Sequence, residues 1–189
     1  RLGEATDVKV DEGELGPPRA KNAKPGSFAF SGHDRTHAHM IQADPAGKFV
    51  YVANANDNTI TTLSIDPSTG LLTVVGSPTA TGTQPYSIAR TPNGKFAYTA
   101  NYGANTLSAY SVNTGTGALT ALSAITAGAN PYTITINSAG TYAYVVNANS
   151  GGTTGTAMAF AINTSTGAFT PAGTAVNTGN TPQFIAVTP

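Results

Sequence analysis

Apolar residues in this chain fall in short runs broken by turn residues, and the runs recur at a fixed distance. Gly47-Lys48-Phe49-Val50-Tyr51-Val52-Ala53-Asn54 returns as Gly94-Lys95-Phe96-Ala97-Tyr98-Thr99-Ala100-Asn101. It returns again, more loosely, as Gly140-Thr141-Tyr142-Ala143-Tyr144-Val145-Val146-Asn147. The steps are 47 and 46 residues, the difference between Gly47, Gly94 and Gly140. A period in this range marks a repeat architecture, whose units bury their apolar faces only by stacking on neighbours. Each unit holds four strand-like runs, in the second Tyr86 to Arg90, Phe96 to Ala100, Thr106 to Val112 and Ala118 to Leu122. Phe49 to Val52 is apolar on both sides of the pleat, as a strand covered on two faces should be. The turns repeat as well: Gly70, Gly117 and Gly167 each precede an apolar pair, and with Gly47, Gly94 and Gly140 they mark places where the chain needs positive φ.

Four antiparallel strands in roughly 45 residues make one propeller blade. The spacing predicts an all-β propeller with three complete blades, 38–84, 85–130 and 131–181, the third lengthened by the Gly-rich stretch Gly151 to Gly155. Residues 1–37 read as the last strand of a preceding blade, Thr6 to Val10, followed by a long charged loop. Residues 182–189 read as the first strand of a further blade, Pro182 to Val187. The chain is thus expected to be part of a larger, seven-bladed ring, either a window on a longer protein or closed by another chain. Open blade edges would allow self-association.

Composition narrows the partners. Of the eighteen charged residues sixteen lie in 1–66, and after Asp66 only Arg90 and Lys95 remain. A nucleic acid needs clustered Lys and Arg to neutralise its phosphates, so it is excluded as a partner. Cysteine is absent, which removes disulfides and thiolate metal sites. No apolar run reaches the length of a membrane span. No signal pattern is legible at Arg1, and localisation leans towards export, periplasmic or extracellular, only on the Thr, Ala, Gly and Asn richness of the later two thirds. Tyr51, Tyr98 and Tyr144 keep the blade period, which indicates packing between blades.

Reactive chemistry is concentrated once. His33, His37 and His39 fall beside Asp34 and Arg35, and on a strand positions 37 and 39 share a face. In a catalytic reading one imidazole takes a proton from water, helped by Arg35 or by Glu12 or Glu14. In a metal reading His37, His39 and Asp34 are ligands. In a third reading the histidines are a hydrogen-bonded polar pair at a channel mouth. The run Asp11-Glu12-Gly13-Glu14 reads as a solvated loop, and Arg90 as a donor to a neighbouring carbonyl.

The Pro-x-x-Ile runs at Pro85 and Pro131, the Gly-Lys-Phe-x-Tyr-x-Ala-Asn runs, and Asn58-Thr59-Ile60 with Asn105-Thr106-Leu107 resemble the YVTN-type propellers of the lactonase family. Leu2-Gly3-Glu4-Ala5-Thr6-Asp7-Val8, Pro17-Pro18-Arg19 and Thr36-His37-Ala38-His39 with Asp44-Pro45-Ala46-Gly47 resemble its 6-phosphogluconolactonase-like members. The resemblance implies hydrolysis of a sugar lactone without a cofactor, with His37 and His39 on an innermost strand facing the central channel. Where lactonases place Arg-His this chain has Tyr86-Ser87, and where they place Glu it has Tyr102, so Tyr86 and Tyr102 stand at substrate-binding positions. The alternative is a non-catalytic propeller, exported or at the cell surface, that binds a protein or surface partner or serves as a structural module.

Overall fold

The computed structural model describes residues 38–152 and 154–187. The expected strand Thr6 to Val10 lies outside the described residues. Fifteen strands form three antiparallel sheets, and no helix occurs among the described residues. The first sheet contains β1 (Ala38–Ala43), β2 (Phe49–Asn54), β3 (Thr59–Ile65), β4 (Leu72–Val74) and β5 (Thr79–Ala80). The second contains β6 (Pro85–Arg90), β7 (Phe96–Asn101), β8 (Thr106–Val112), β9 (Leu119–Ala121) and β10 (Ile125–Thr126). The third contains β11 (Pro131–Ile136), β12 (Tyr142–Asn147), β13 (Thr156–Ile162), β14 (Phe169–Pro171) and β15 (Val176–Asn177). In each the first four strands form a meander, pairing in sequence order as propeller blades are built.

The outermost strand of each sheet is two short pieces, both paired with the third strand: β4 and β5 on β3, β9 and β10 on β8, β14 and β15 on β13. Between the pieces one ladder bond persists, from Val75 N–H to the Thr62 carbonyl and from Leu122 N–H to the Ala109 carbonyl, both 2.8 Å. The chain then leaves the ladder, in the first sheet at Gly76, where φ is +64°. An outer edge interrupted in this way offers little continuous backbone for pairing with another molecule.

The sheets stack through a repeated clamp. Tyr51 on β2 donates its hydroxyl to the Gly117 carbonyl of the next sheet at 3.0 Å, and Tyr98 on β7 does the same to Gly167 at 3.1 Å. Phe49 and Phe96 lie against the same two glycines. The blade-periodic tyrosines at 51 and 98 are therefore interblade packing residues, fully buried in the core. Gly47, Gly94, Gly140, Gly70, Gly117 and Gly167 all have φ between +68° and +76°, as the turns required.

First strands lie side by side, β1 against β6 and β6 against β11. Ser87 shows how: its hydroxyl reaches the Met40 sulfur on one side and accepts from Ile134 N–H on the other. Thr133 continues the series by donating to the Gln183 carbonyl. Gln183 is thus tied to β11, while residues 182–187 belong to no strand among the described residues.

Polar side chains at the strand ends fix the turns. Asn58 and Asn105 sit in the left-handed region, φ 55° and 58°, and their carboxamide oxygens accept from Gln84 and Asn130 N–H across the blade boundary. Buried Asn101 bonds both Thr106 and Ser108 hydroxyls. Each asparagine ties a turn that has no ladder partner of its own.

Candidate functional site

The inner ends of the three first strands share one irregularity. On β1 Ala38 pairs with Asn54 and Met40 with Ala53, leaving His39 as an extra residue. On β6 Pro85 pairs with Asn101 and Ser87 with Ala100, leaving Tyr86. On β11 Pro131 pairs with Asn147 and Thr133 with Val146, leaving Tyr132. A bulge re-aims the residue it carries and interrupts the in-and-out alternation of the strand. Three adjacent sheets therefore present one bulged residue each: His39, Tyr86 and Tyr132.

These side chains meet, joined by Tyr102 from the turn after β7. His39 stacks on Tyr86 with ring centroids 3.8 Å apart and 11° between planes. Tyr86 stacks on Tyr102 at 4.4 Å and 13°. Tyr132 stands edge-on to all three, at 5.8 Å from His39, 5.2 Å from Tyr86 and 6.0 Å from Tyr102. Stacked and edge-to-face pairs at these spacings add stability beyond the area they bury. Backbone bonds hold the turn, from Tyr102 N–H to the Gln84 carbonyl and from the Asn130 amide to the Tyr102 carbonyl.

Protonation in the cluster follows from its partners. His39 Nδ1 lies 2.8 Å from the Tyr86 carbonyl oxygen. A carbonyl only accepts, so Nδ1 carries the proton and the basic lone pair of the neutral ring is on Nε2. Burial pushes the Tyr86 phenol above its ordinary value, and the neighbouring Tyr102 and Tyr132 phenols push it further in the same direction. Tyr86 is thereby a neutral donor at physiological pH. The arrangement holds an imidazole base and several neutral O–H groups against ring faces, a set suited to binding and polarising an oxygen-rich small molecule.

Beyond the cluster, Met40, Gln42, Thr133, Thr135 and Phe184 line a cavity of about 340 Å³ along the same first strands. Arg90, at the far end of β6, serves packing. Its Nη2 donates to the Gly94 carbonyl, its Cζ lies 4.7 Å from the centre of the Tyr51 ring, and Asp44 is 3.9 Å away. Asp44 itself closes its turn by accepting from Lys48 and Phe49 N–H.

Of the residues expected from sequence to form the site, the structure brings His39, Tyr86 and Tyr102 together. Glu12, Asp34, Arg35 and His37 lie outside the described residues. Among the described residues no group of three or more His, Cys, Asp or Glu is placed to hold a metal ion. Tyr132 was not anticipated. The signal was present in the Pro-Tyr pairs at 85–86 and 131–132, which keep the blade period.

Comparison with known proteins gives the same architecture. The family profile described as "Lactonase, 7-bladed beta-propeller" matches residues 5–133 and 103–189. No curated protein matches the sequence significantly. Among solved structures the chain is similar to an inferred 6-phosphogluconolactonase of Bacteroides uniformis, with a TM-score of 0.74 and 23% identity over 84% of this chain and 48% of that one. A second inferred 6-phosphogluconolactonase, from Bacteroides fragilis, gives a TM-score of 0.70 and 23% identity over 86% of this chain and 49% of that one. The periplasmic gluconolactonase of Pseudomonas aeruginosa gives 0.61 and 17% identity over 72% and 40%. The chain spans less than half the length of each, and these likenesses establish the shared fold.

Proposed function

We propose, since this chain belongs to the lactonase family of seven-bladed β-propellers, that the protein hydrolyses a sugar lactone at the bulged ends of its first strands. The observation that carries this reading is the tautomer of His39: with Nδ1–H engaged by the Tyr86 carbonyl, Nε2 is the basic position. His39 Nε2 takes a proton from water as the water oxygen bonds to the lactone carbonyl carbon. The carbonyl π pair moves onto oxygen. When the tetrahedral species collapses, the bond from carbon to ring oxygen breaks, and the imidazolium returns its proton to that oxygen. One lactone and one water give one hydroxy acid. Tyr102 holds the sugar by stacking and by its hydroxyl, Tyr86 binds it through its hydroxyl, and His37 is proposed as a second imidazole of the same site.

Supporting this reading are the family, the position of the cluster on the first strands, and the likeness of the fold to lactonases. Acid release from glucono-1,5-lactone and its 6-phosphate by the full-length protein tests it. Saturable turnover above the spontaneous rate is expected; a rate equal to the spontaneous one with both substrates rules the reading out. The alternative of a non-catalytic binding propeller is favoured by one feature, the extent to which the four rings already cover one another. It expects that second outcome together with saturable binding of a partner.

A further inference from the structure

The hydrolysis reading assigns a base but no group to stabilise the charge that develops on the carbonyl oxygen. That charge needs donors fixed before the reaction begins, because donors that must reorient stabilise it less. Among the described residues, the side-chain donors whose rings meet His39 are phenols, those of Tyr86 and Tyr132. Tyr86 is buried between His39 and Tyr102, so its ring is committed to the stack. Tyr102 and Tyr132 are half-buried and meet nearly at right angles, 88° between ring planes. The bulge between Pro131 and Thr133 takes Tyr132 out of the β11 alternation, so it packs against the ring cluster and not in the sheet core as Thr133 and Ile134 do.

We propose that Tyr132 is a substrate-contacting residue whose hydroxyl, together with that of Tyr102, donates to the lactone carbonyl oxygen and stabilises the oxyanion formed when water adds. This rests on the hydrolysis reading and extends it to a residue that neither sequence motif nor family comparison singles out. The rings of both residues lie within reach of the same histidine cluster, Tyr132 with its centroid 5.8 Å from that of His39 and 6.0 Å from that of Tyr102. Tyrosine is suited to the role because its phenolic O–H is a good hydrogen-bond donor on a rigid ring. In the reaction no proton leaves either phenol: the tyrosines donate hydrogen bonds to the oxyanion, and His39 alone transfers the proton.

The test uses the full-length protein and the variants Tyr132→Phe and Tyr102→Phe, which keep the rings and remove only the hydroxyls. Acid release is measured on glucono-1,5-lactone and its 6-phosphate, and thermal unfolding is followed for each variant. For Tyr132→Phe the expected result is a fall in kcat of roughly 10²- to 10³-fold, with KM changed less than about 3-fold and the unfolding midpoint kept; oxyanion donors lose rate on this scale. A smaller loss is expected for the double variant than the product of the two single losses, since both act on one oxygen. A wild-type protein that turns over lactone with Tyr132→Phe at full kcat overturns this inference and leaves the hydrolysis reading standing. A wild-type protein that turns over neither glucono-1,5-lactone nor its 6-phosphate overturns both. If Tyr132→Phe lowers kcat only together with the unfolding midpoint, Tyr132→Leu decides: a residue needed for packing alone loses more stability than activity there, and that outcome also overturns the inference.

Discussion

The Tyr98 hydroxyl donates to the Gly167 carbonyl at 3.1 Å, and the two residues belong to adjacent sheets. Phe96 closes the same contact from the side, so that a methyl group added at Gly167 would fall 2.3 Å from Phe96 Cδ1. Tyr51, Phe49 and Gly117 repeat the arrangement one blade earlier, where the distance is 2.6 Å. Gly70 occupies the corresponding turn of the first sheet, where an added methyl group would meet nothing within 4 Å among the described residues.

This difference predicts unequal costs for one substitution. All three glycines have positive φ, 73° at Gly70, 76° at Gly117 and 74° at Gly167, so alanine strains each backbone by about 1–2 kcal/mol. At Gly117 and Gly167 overpacking adds about 1–3 kcal/mol. Denaturant unfolding of this chain should rank Gly117→Ala and Gly167→Ala well below Gly70→Ala. Equal losses at all three would show that the clamp contributes nothing beyond turn geometry.

A second prediction concerns Asn147, whose side-chain oxygen is buried without a hydrogen-bond partner. In the preceding sheet the Thr99 hydroxyl bonds the corresponding oxygen of Asn101 at 3.0 Å, and the residue in the place of Thr99 is Val145. Val145→Thr restores that donor in a side chain of nearly the same shape. Stability should rise by about 1 kcal/mol, the scale of one hydrogen bond to a buried group. A fall of that size in a urea titration would show that Val145 is needed for its apolar surface.

Alkaline pH should loosen the stack. Burial raises the phenols of Tyr51, Tyr98 and Tyr110 above their ordinary value of 10.0. Below about pH 10 both folded and unfolded chains keep these protons, and the full stability is present. As pH rises beyond that value the unfolded chain releases its phenol protons while the folded chain retains them, so stability falls until the raised folded values are reached. Each such tyrosine steepens the loss by at most about 1.4 kcal/mol per pH unit. Tyr98→Phe should lose about 1 kcal/mol at pH 7 with its bond to Gly167, and show a shallower decline between pH 10 and 11. An unchanged slope would assign the alkaline loss to other groups.

The repeat made the sheets legible because packing is periodic: Phe49 and Phe96, Tyr51 and Tyr98, and the turn glycines recur wherever one blade meets the next. The division of each outer strand was not legible. Ala118 to Leu122 reads as the whole outer strand, whereas a second piece, Ile125–Thr126, also returns to β8, a pairing that no local pattern encodes. The site was readable in part for the same reason. His39 drew notice as an imidazole, and Tyr86 and Tyr102 through the family resemblance, whereas Tyr132 reads as one more aromatic on a strand. A bulge exists only in the register between two strands, so His39, Tyr86 and Tyr132 could not be seen as equivalent until the partners of β1, β6 and β11 were known.

The central claim is that His39 acts as the base of a lactone hydrolase, and the most direct measurement is kcat/KM for glucono-1,5-lactone in the full-length protein and in His39→Ala. The account predicts a loss of roughly 10²- to 10⁴-fold, the usual range for a general base, with circular dichroism unchanged. Turnover by His39→Ala equal to that of the wild-type protein would contradict it.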